Sequence, residues 1–439
     1  TSANVKYYAQ IVQEKSTLRK LIKINEEIAN ICYQENQPLE EILEDYHSQD
    51  ERIHIIQNHC RLRAPENTNR ALAQAEGDYV VLLGHDDTLP PEALAECAKA
   101  ILRCPEAELL YTDADKITED GREYCQPCRK TGFNLDLLRS YNYIGHLLVI
   151  RKDLRQKTGY MDPEYDGAQD YDYILRCAEQ AGHIVHIPKI LYHWRMSPSS
   201  LATSVRNKPY AYESARKLLL AHYARVGIDA EVQYTPYGSY RSIYRLKESP
   251  LVSVVIRAAG GMEDLERCRE ALASLTYGNI EVIYGGAEEA KGRYMLFLSG
   301  NIRFAEPDSI QEMLGYCMRE DVGIVGARIL RPDDKIWHAG ICLSPAGEPE
   351  YICRGVRKDD PAYYYHTMCA QDCSAVSAAC MLVKRSVYEE AGGMAGGEGE
   401  MDADVGFCLR AGEKGYRIVY QPYAVLYRDE PEDTVKGER

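Results

Sequence analysis

The sequence predicts an α/β protein with parallel or mixed sheets covered by helices. Three observations carry that prediction. Tyr79 to Leu83 is a continuous apolar run of strand length, the pattern of a strand buried on both faces. It ends in Gly84-His85-Asp86-Asp87, and Pro90-Pro91 opens the next helix at its first turn. Strand and helix patterns then alternate along most of the chain.

In order, residues 1–44 read as a helical hairpin. Leu18, Leu21, Ile22, Ile28 and Ile31 recur at helical spacing, and Pro38 starts a second short helix. The stretch 52–57, RIHIIQ, reads as a strand, 67–75 as a helix and 92–102 as another. ELLY, 108–111, reads as a strand ending in Thr112-Asp113-Ala114-Asp115. A strand is expected over 145–150, a helix over 170–180, strands over 183–187 and 190–195, and a helix over 210–225. Pro236 and Gly238 mark a linker, 233–249. A second α/β region starts at Pro250, with strands over 251–256 and 280–284 around a helix over 263–275. Gly292 to Asn301 aligns without a gap on Gly77 to Asp86, and AACMLVKRSVYEEAGGM echoes GHLLVIRKDLRQKTGYM. This is an internal repeat. The expected domains are 1–44, 45–232, the linker 233–249, 250–430 and a tail 431–439.

A chain of 439 residues has room for two or three domains. The formal charge of −15 argues against nucleic acid as a partner, because phosphate binding wants a basic face. No apolar run of spanning length and no charged-then-apolar leader is visible. The fifteen scattered Cys read as reduced thiols of a cytoplasmic protein, and Cys125 and Cys128 as two unlinked thiols in a loop.

Asp86 and Asp87 stand at the carboxyl end of a buried strand, the edge where open α/β sheets bind ligands. Their oxygens suit a hard divalent cation bridging a diphosphate; the alternative is a turn with Asp as helix cap. Asp170 precedes an amphipathic helix, where an N-cap is the plain alternative, and Asp172 reads as facing solvent or supporting the site from behind. Asp113 and Asp115 share the same sheet edge and either shape a pocket or cap a turn. His193 and Trp194 follow a strand, where a His is commonly structural and a Trp commonly packs the core.

Two resemblances add to this reading. TSANVKYYAQIVQEKSTLRKLIKINEEIANICY resembles the last part of the amino-terminal helical domain of bacterial replicative DNA helicases, which implies self-association or partner binding through residues 1–44. No GxxxxGK[ST] loop follows, so helicase activity is not implied.

From residue 39 to 430, VVLLGHDDTLPP, LLYTDADKI, GAQDYDYILRCAE and IPKILYHWR resemble family-2 glycosyltransferases of the GT-A fold. The subgroup is the one that builds bacterial cell-surface polysaccharides with tandem domains. The resemblance implies two GT-A domains, both incomplete. The first lacks its opening strands. The second has Tyr284-Gly285-Gly286 in place of an Asp-rich turn and Asn301 in place of Asp86, with Asp402 and Asp404 left as candidate bases.

By the same resemblance Asp86, Asp87 and His193 hold Mg²⁺ or Mn²⁺ with a nucleotide sugar, although Gly84 replaces the usual first Asp. Asp170 is the base of an inverting transfer, Asp113 and Asp115 line the donor pocket, and Trp194 stacks on the acceptor or packs the core. The acceptor is a polysaccharide or a lipid-linked glycan, with peripheral membrane association at the inner face of the cell membrane among the expectations. Two other classes stand beside the enzyme: a non-catalytic protein holding a glycan or a partner, and an assembly module acting through residues 1–44.

Overall fold

The computed structural model describes residues 52–196, 209–257, 262–284, 286–362, 365–394 and 400–429. The hairpin expected over 1–44 and the tail over 431–439 lie outside the described residues. The chain divides into two units, residues 1–133 with 142–222, and 134–141 with 223–439.

The first unit runs through α1 (Ala64–Gln74), β1 (Tyr79–Leu82), α2 (Ala93–Arg103), β2 (Leu109–Ile117) and β3 (Tyr124–Cys128). A short helix, α3 (Leu135–Ser140), is counted with the second unit. β4 (Leu148–Arg151), α4 (Lys152–Thr158), α5 (Gln169–Gln180), β5 (Ile184–Arg195) and α6 (Pro209–Arg225) follow. Pro65 sits in the first turn of α1, where its missing N–H costs nothing. β4 is antiparallel to both β1 and β2, and β2 carries β3 antiparallel and β5 parallel, so the sheet is mixed. α4 stops at Gly159, whose φ of 81° suits glycine.

The structure departs from the expected elements in three places here. Residues 52–57 form no strand: Ile55 is left exposed, and no strand edge among the described residues receives the segment. β2 runs on to Ile117, which puts Asp113 and Asp115 inside the strand instead of in a turn after it. The cause is β5, which continues beside it as one strand. A register shift between Thr112 and Asp113 absorbs Pro188, which has no N–H for the ladder.

The second unit contains β6 (Ala230–Tyr234), β7 (Tyr240–Tyr244), β8 (Val252–Arg257), α7 (Met262–Ala273) and β9 (Ile280–Ile283). Next come β10 (Tyr294–Ser299), β11 (Ile302–Phe304), α8 (Ser309–Cys317), β12 (Val322–Leu330) and β13 (Ile336–His338). The chain ends through β14 (Ile341–Leu343), β15 (Pro349–Tyr351), β16 (Gln371–Asp372), β17 (Cys380–Lys384), α9 (Arg385–Glu390), α10 (Glu400–Glu413) and β18 (Arg417–Arg428). The main sheet has the order β11-β18-β12-β17-β10-β8-β9. The stretch expected as a linker, 233–249, instead pairs β7 with β6, because Tyr240, Ser242 and Tyr244 alternate as a buried face.

The pairing register of the first unit recurs in the second. Tyr79 faces Arg151 across β1 and β4, and Tyr294 faces Lys384 across β10 and β17. Leu110 faces Val149 and Val185; Val325 faces Leu382 and Val419. Arg176 of α5 donates to the carbonyls of Thr158 and Tyr160, and Arg410 of α10 to those of Ala391 and Gly393. The second unit adds β8 and β9, parallel on the far edge of β10; among the described residues β1 has no strand there. Among the described residues no helix is long and apolar enough to cross a membrane.

A buried ion network ties α3 into the second unit. Asp136 lies 2.5 Å from Arg319 and 3.5 Å from Arg139, and Arg319 reaches Asp321 at 2.8 Å. Burial alone would raise Asp136, but the Arg319 and Arg139 guanidiniums hold it well below the usual carboxylate range. Removing Arg319 leaves the buried Asp136 with the longer contact to Arg139 and a charge poorly compensated. Arg319→Met should therefore cost about 3–5 kcal/mol, and Asp136→Leu added to it should recover most of that loss. Urea denaturation of the three variants checks this; a loss under about 1 kcal/mol for Arg319→Met would show that the pair is not structural.

Candidate functional site

The candidate residues of the first unit gather where β1 ends and β2 and β5 run side by side. Residues after β1 fold back on β5: Thr88 bridges His193, donating to its carbonyl at 3.2 Å and accepting from its amide at 2.9 Å. That bridge brings Asp86 and Asp87 beside Arg195, whose Nε donates to the Asp86 carbonyl at 2.7 Å.

Asp87 is turned into the fold. It is 3% exposed; the Tyr192 hydroxyl donates to one carboxylate oxygen and the Arg195 amide to the other at 2.8 Å. Burial pushes its carboxyl up, and those two donors pull it partly back. Asp86 stays partly open, with the exposed His85 ring 3.7 Å from its carboxylate. The acids therefore point to different tasks.

The parallel pairing of β2 with β5 makes two His–Asp contacts. Asp115 faces His193, with Oδ1 2.5 Å from Nδ1. Asp113, 1% exposed, shares Oδ1 between His186 Nε2 at 2.8 Å and the Lys130 amide at 2.8 Å. Asp113 thus serves as a structural acceptor through Oδ1, and Asp115 orients an imidazole. Trp194 packs against the core around Leu89, Ala93 and Leu110, with the Lys116 ammonium 6.0 Å from its ring centre. The exposed ring beside His193 is that of Tyr124, 4.5 Å away, centre to centre.

Asp170 lies in the first turn of α5, but Ala168 holds the N-cap position, so Asp170 does not cap the helix with its own side chain. Its carboxylate is half-buried and accepts from Asn142 Nδ2 at 3.3 Å. Asp172, expected to face solvent or to support the site from behind, is 0% exposed and pairs with Arg176 at 2.7 Å, one turn along the helix. It anchors α5 to the end of α4.

Whether these residues fit a divalent cation turns on Asp87. Both its oxygens are occupied by protein donors; the Asp115 contact takes His193 Nδ1 and not Nε2, so it does not count against that imidazole as a ligand. Among the described residues no group of three or more His, Cys, Asp or Glu could hold a metal ion. Asp86, Asp87 and His193 are thus not gathered into a three-residue set in this arrangement.

Sequence reasoning missed the residues that hold this arrangement. Tyr192 was legible in principle, since alternation along a strand sends it to the face opposite His193. Lys130 gave no signal. Its ammonium donates to the carbonyls of Ile144 and His146, fixing the loop that carries Asn142 to Asp170 and stacks the His146 ring on Tyr192 at 4.9 Å.

The second unit keeps these positions with other residues. Leu330 faces Tyr427 where Asp115 faces His193, and Arg303 faces Tyr427 where Thr88 faces His193. Asn301, in place of Asp86, donates to the Asp429 carbonyl at 3.1 Å. Asp404, placed on α10 as Asp170 is on α5, is buried and locked by the Ala378 amide at 2.7 Å and Arg257 at 3.3 Å. It is a strut, which corrects its candidacy as a base. The Asp402 side chain lies outside the described ones.

Burial pushes the Lys130 ammonium down from 10.5 to about 8. Between those values the folded state has released a proton that the unfolded chain still holds, so this group adds stability as pH rises through that window. The melting temperature of the wild type should rise relative to Lys130→Met between pH 8 and 10.5. A difference that stays flat would show that the ammonium is not held in the fold.

Residues 15–159 match the family model for Glycosyl transferase family 2. The match begins within the segment 1–44 compared above with a helicase domain. An uncharacterized protein, y4gI, of Sinorhizobium fredii is 32% identical over 438 residues, spanning 89% of this chain and 48% of that protein. The O-antigen biosynthesis protein RfbC of Myxococcus xanthus is 29% identical over 423 residues, spanning 87% of this chain and 33% of that protein. The chain thus spans half or less of the length of these curated relatives. The crystal structure of S. aureus TarS 1–349 in complex with UDP-GlcNAc is 18% identical over 43% of this chain and 60% of that one, with a TM-score of 0.33, too low to carry an argument.

Proposed function

We propose that this chain, with a glycosyltransferase family 2 domain over residues 15–159, is the sugar-transferring part of a longer protein that builds a cell-surface polysaccharide. It moves a sugar from a nucleotide-sugar donor to a glycan acceptor, polysaccharide or lipid-linked, at the inner face of the cell membrane. RfbC, named for O-antigen biosynthesis, supports the choice of acceptor. The two units are copies of one domain, as their shared register suggests, and the chemistry belongs to the first.

One observation carries the assignment of the base. Asp87 has both oxygens taken by protein donors and the buried Asp113 holds two on Oδ1, while Asp170 keeps a half-buried carboxylate whose one hydrogen bond among the described residues, from Asn142, leaves it lone pairs for an incoming hydroxyl. Asp170 takes the proton of the acceptor hydroxyl as that oxygen attacks the anomeric carbon from the face opposite the diphosphate, which leaves with the electrons of its C–O bond. The product is inverted at that carbon. Asn142, held by the Gly145 amide at 3.1 Å, fixes the direction of the carboxylate. Mg²⁺ or Mn²⁺ finds no three-residue set in the described arrangement, so no step runs through it.

Asp170→Asn keeps the shape and the contact with Asn142 and removes the basicity. Turnover of a radiolabelled nucleotide sugar should fall by about 10²–10⁴, the usual range for a lost general base, with donor affinity nearly unchanged. Full activity in the variant would clear Asp170 of the role, and a wild type without turnover would reduce the chain to a binding protein.

A further inference from the structure

The sheet edge that is acidic in the first unit is basic and aromatic in the second. Arg328 faces Val425 where Asp113 faces Ile190, and Arg428 follows Tyr427 as Trp194 follows His193. The Arg428 guanidinium lies 4.2 Å from the centre of the Trp337 ring. Arg354 lies 5.7 Å from the same ring and 4.7 Å from that of Tyr351. Arg303 lies 4.3 Å from the Tyr427 ring, and Lys358 Nζ is 3.1 Å from the Tyr427 hydroxyl. Arg328, 8% exposed, donates to the Lys358 carbonyl, but its buried Nε meets no acceptor, and neither does the Nε of Arg428.

Acids stand nearby but are spoken for. Asp334 takes Lys358 at 2.9 Å and the Tyr427 hydroxyl at 2.6 Å, Asp359 takes Arg357 at 3.2 Å, and Asp429 stands 3.9 Å from Arg303. Among the described residues no carboxylate pairs with Arg354 or Arg428. Two guanidiniums over one indole repel each other, and a protein of net charge −15 had acids to spare for them. An anion bound beside these guanidiniums would offset that repulsion.

We propose that this edge of the second unit binds an acidic glycan, a sugar chain carrying carboxylate or phosphate groups. Arg354 and Arg428 clamp acid groups through their planar forks, beside the half-buried rings of Tyr351 and Tyr427. Cations and aromatic rings alternate here, as acid groups and ring faces do along such a chain. The choice of a glycan among anions rests on the transferase reading above; the anion site does not.

Calorimetry on the full chain tests this with polygalacturonate oligosaccharides, neutral dextran oligosaccharides of matched length, and inorganic pyrophosphate. Polygalacturonate should bind, more weakly as salt rises, and dextran should not. Arg354→Ala with Arg428→Ala should weaken binding at least about tenfold, the loss expected for charge-assisted contacts. If the double variant melts early, Arg354→Glu alone, at an exposed position, should abolish binding. Dextran binding as well as polygalacturonate, affinity unchanged in the variants, or no binding by wild type would overturn the site. Binding of pyrophosphate without polygalacturonate would overturn the glycan assignment. Asp170→Asn should bind polygalacturonate as wild type does. Binding by a wild type without turnover would keep this site and sink the transferase reading.

Discussion

The parallel pairing of β2 with β5 is the constraint on which the first unit depends. It sets Asp113 beside His186 and Asp115 beside His193, and through the end of β5 it presents the Arg195 amide to Asp87. A slip of one residue would turn every one of these side chains to the other face. The register is pinned by apolar residues that have no part in chemistry: Leu109, Leu110 and Tyr111 on β2 are fully buried and pair with β4 as well. Packing therefore fixes the site, and the polar contacts are made where packing has already brought the groups together.

The second unit shows how separable the two are. Its strands pair in the same register, and its helix α10 is anchored by Arg410 as α5 is by Arg176. The places of Asp86, Asp113 and Asp115 are taken by Asn301, Arg328 and Leu330, and Asp404 on α10 is bound into the fold. A frame of this kind draws its stability from burial, whichever groups stand at its edge, so that edge is open to different chemistry. The cations gathered around Trp337 and Tyr427 are one such use.

Much of the frame was legible in the sequence. Continuous apolar runs such as YVVLL and YMLFL marked the central strands, and the gap-free match of Gly77–Asp86 to Gly292–Asn301 foretold the shared register. What escaped depended on partners distant in sequence. The extension of β2 past Tyr111 needs β5, and the β6–β7 hairpin looked like a linker because its turn residues outweighed the alternation in YRSIY. The acids were found, but their tasks were not. Asp86 and Asp87 look alike as neighbours, and only the Tyr192 hydroxyl and the Arg195 amide, more than a hundred residues on, tell them apart. Lys130 carries no motif, since its role is to hold two carbonyls that any sequence would supply.

If the proposed function holds, the donor is handled by the first unit alone. Photo-crosslinking of the full chain with an azido analogue of a nucleoside diphosphate, followed by peptide mapping, tests it most directly. Label is expected on peptides containing residues 84–88 or 113–124, competed away by unmodified nucleotide. Competed label on peptides containing residues 299–304 or 328–337, with none on the first set, would contradict it.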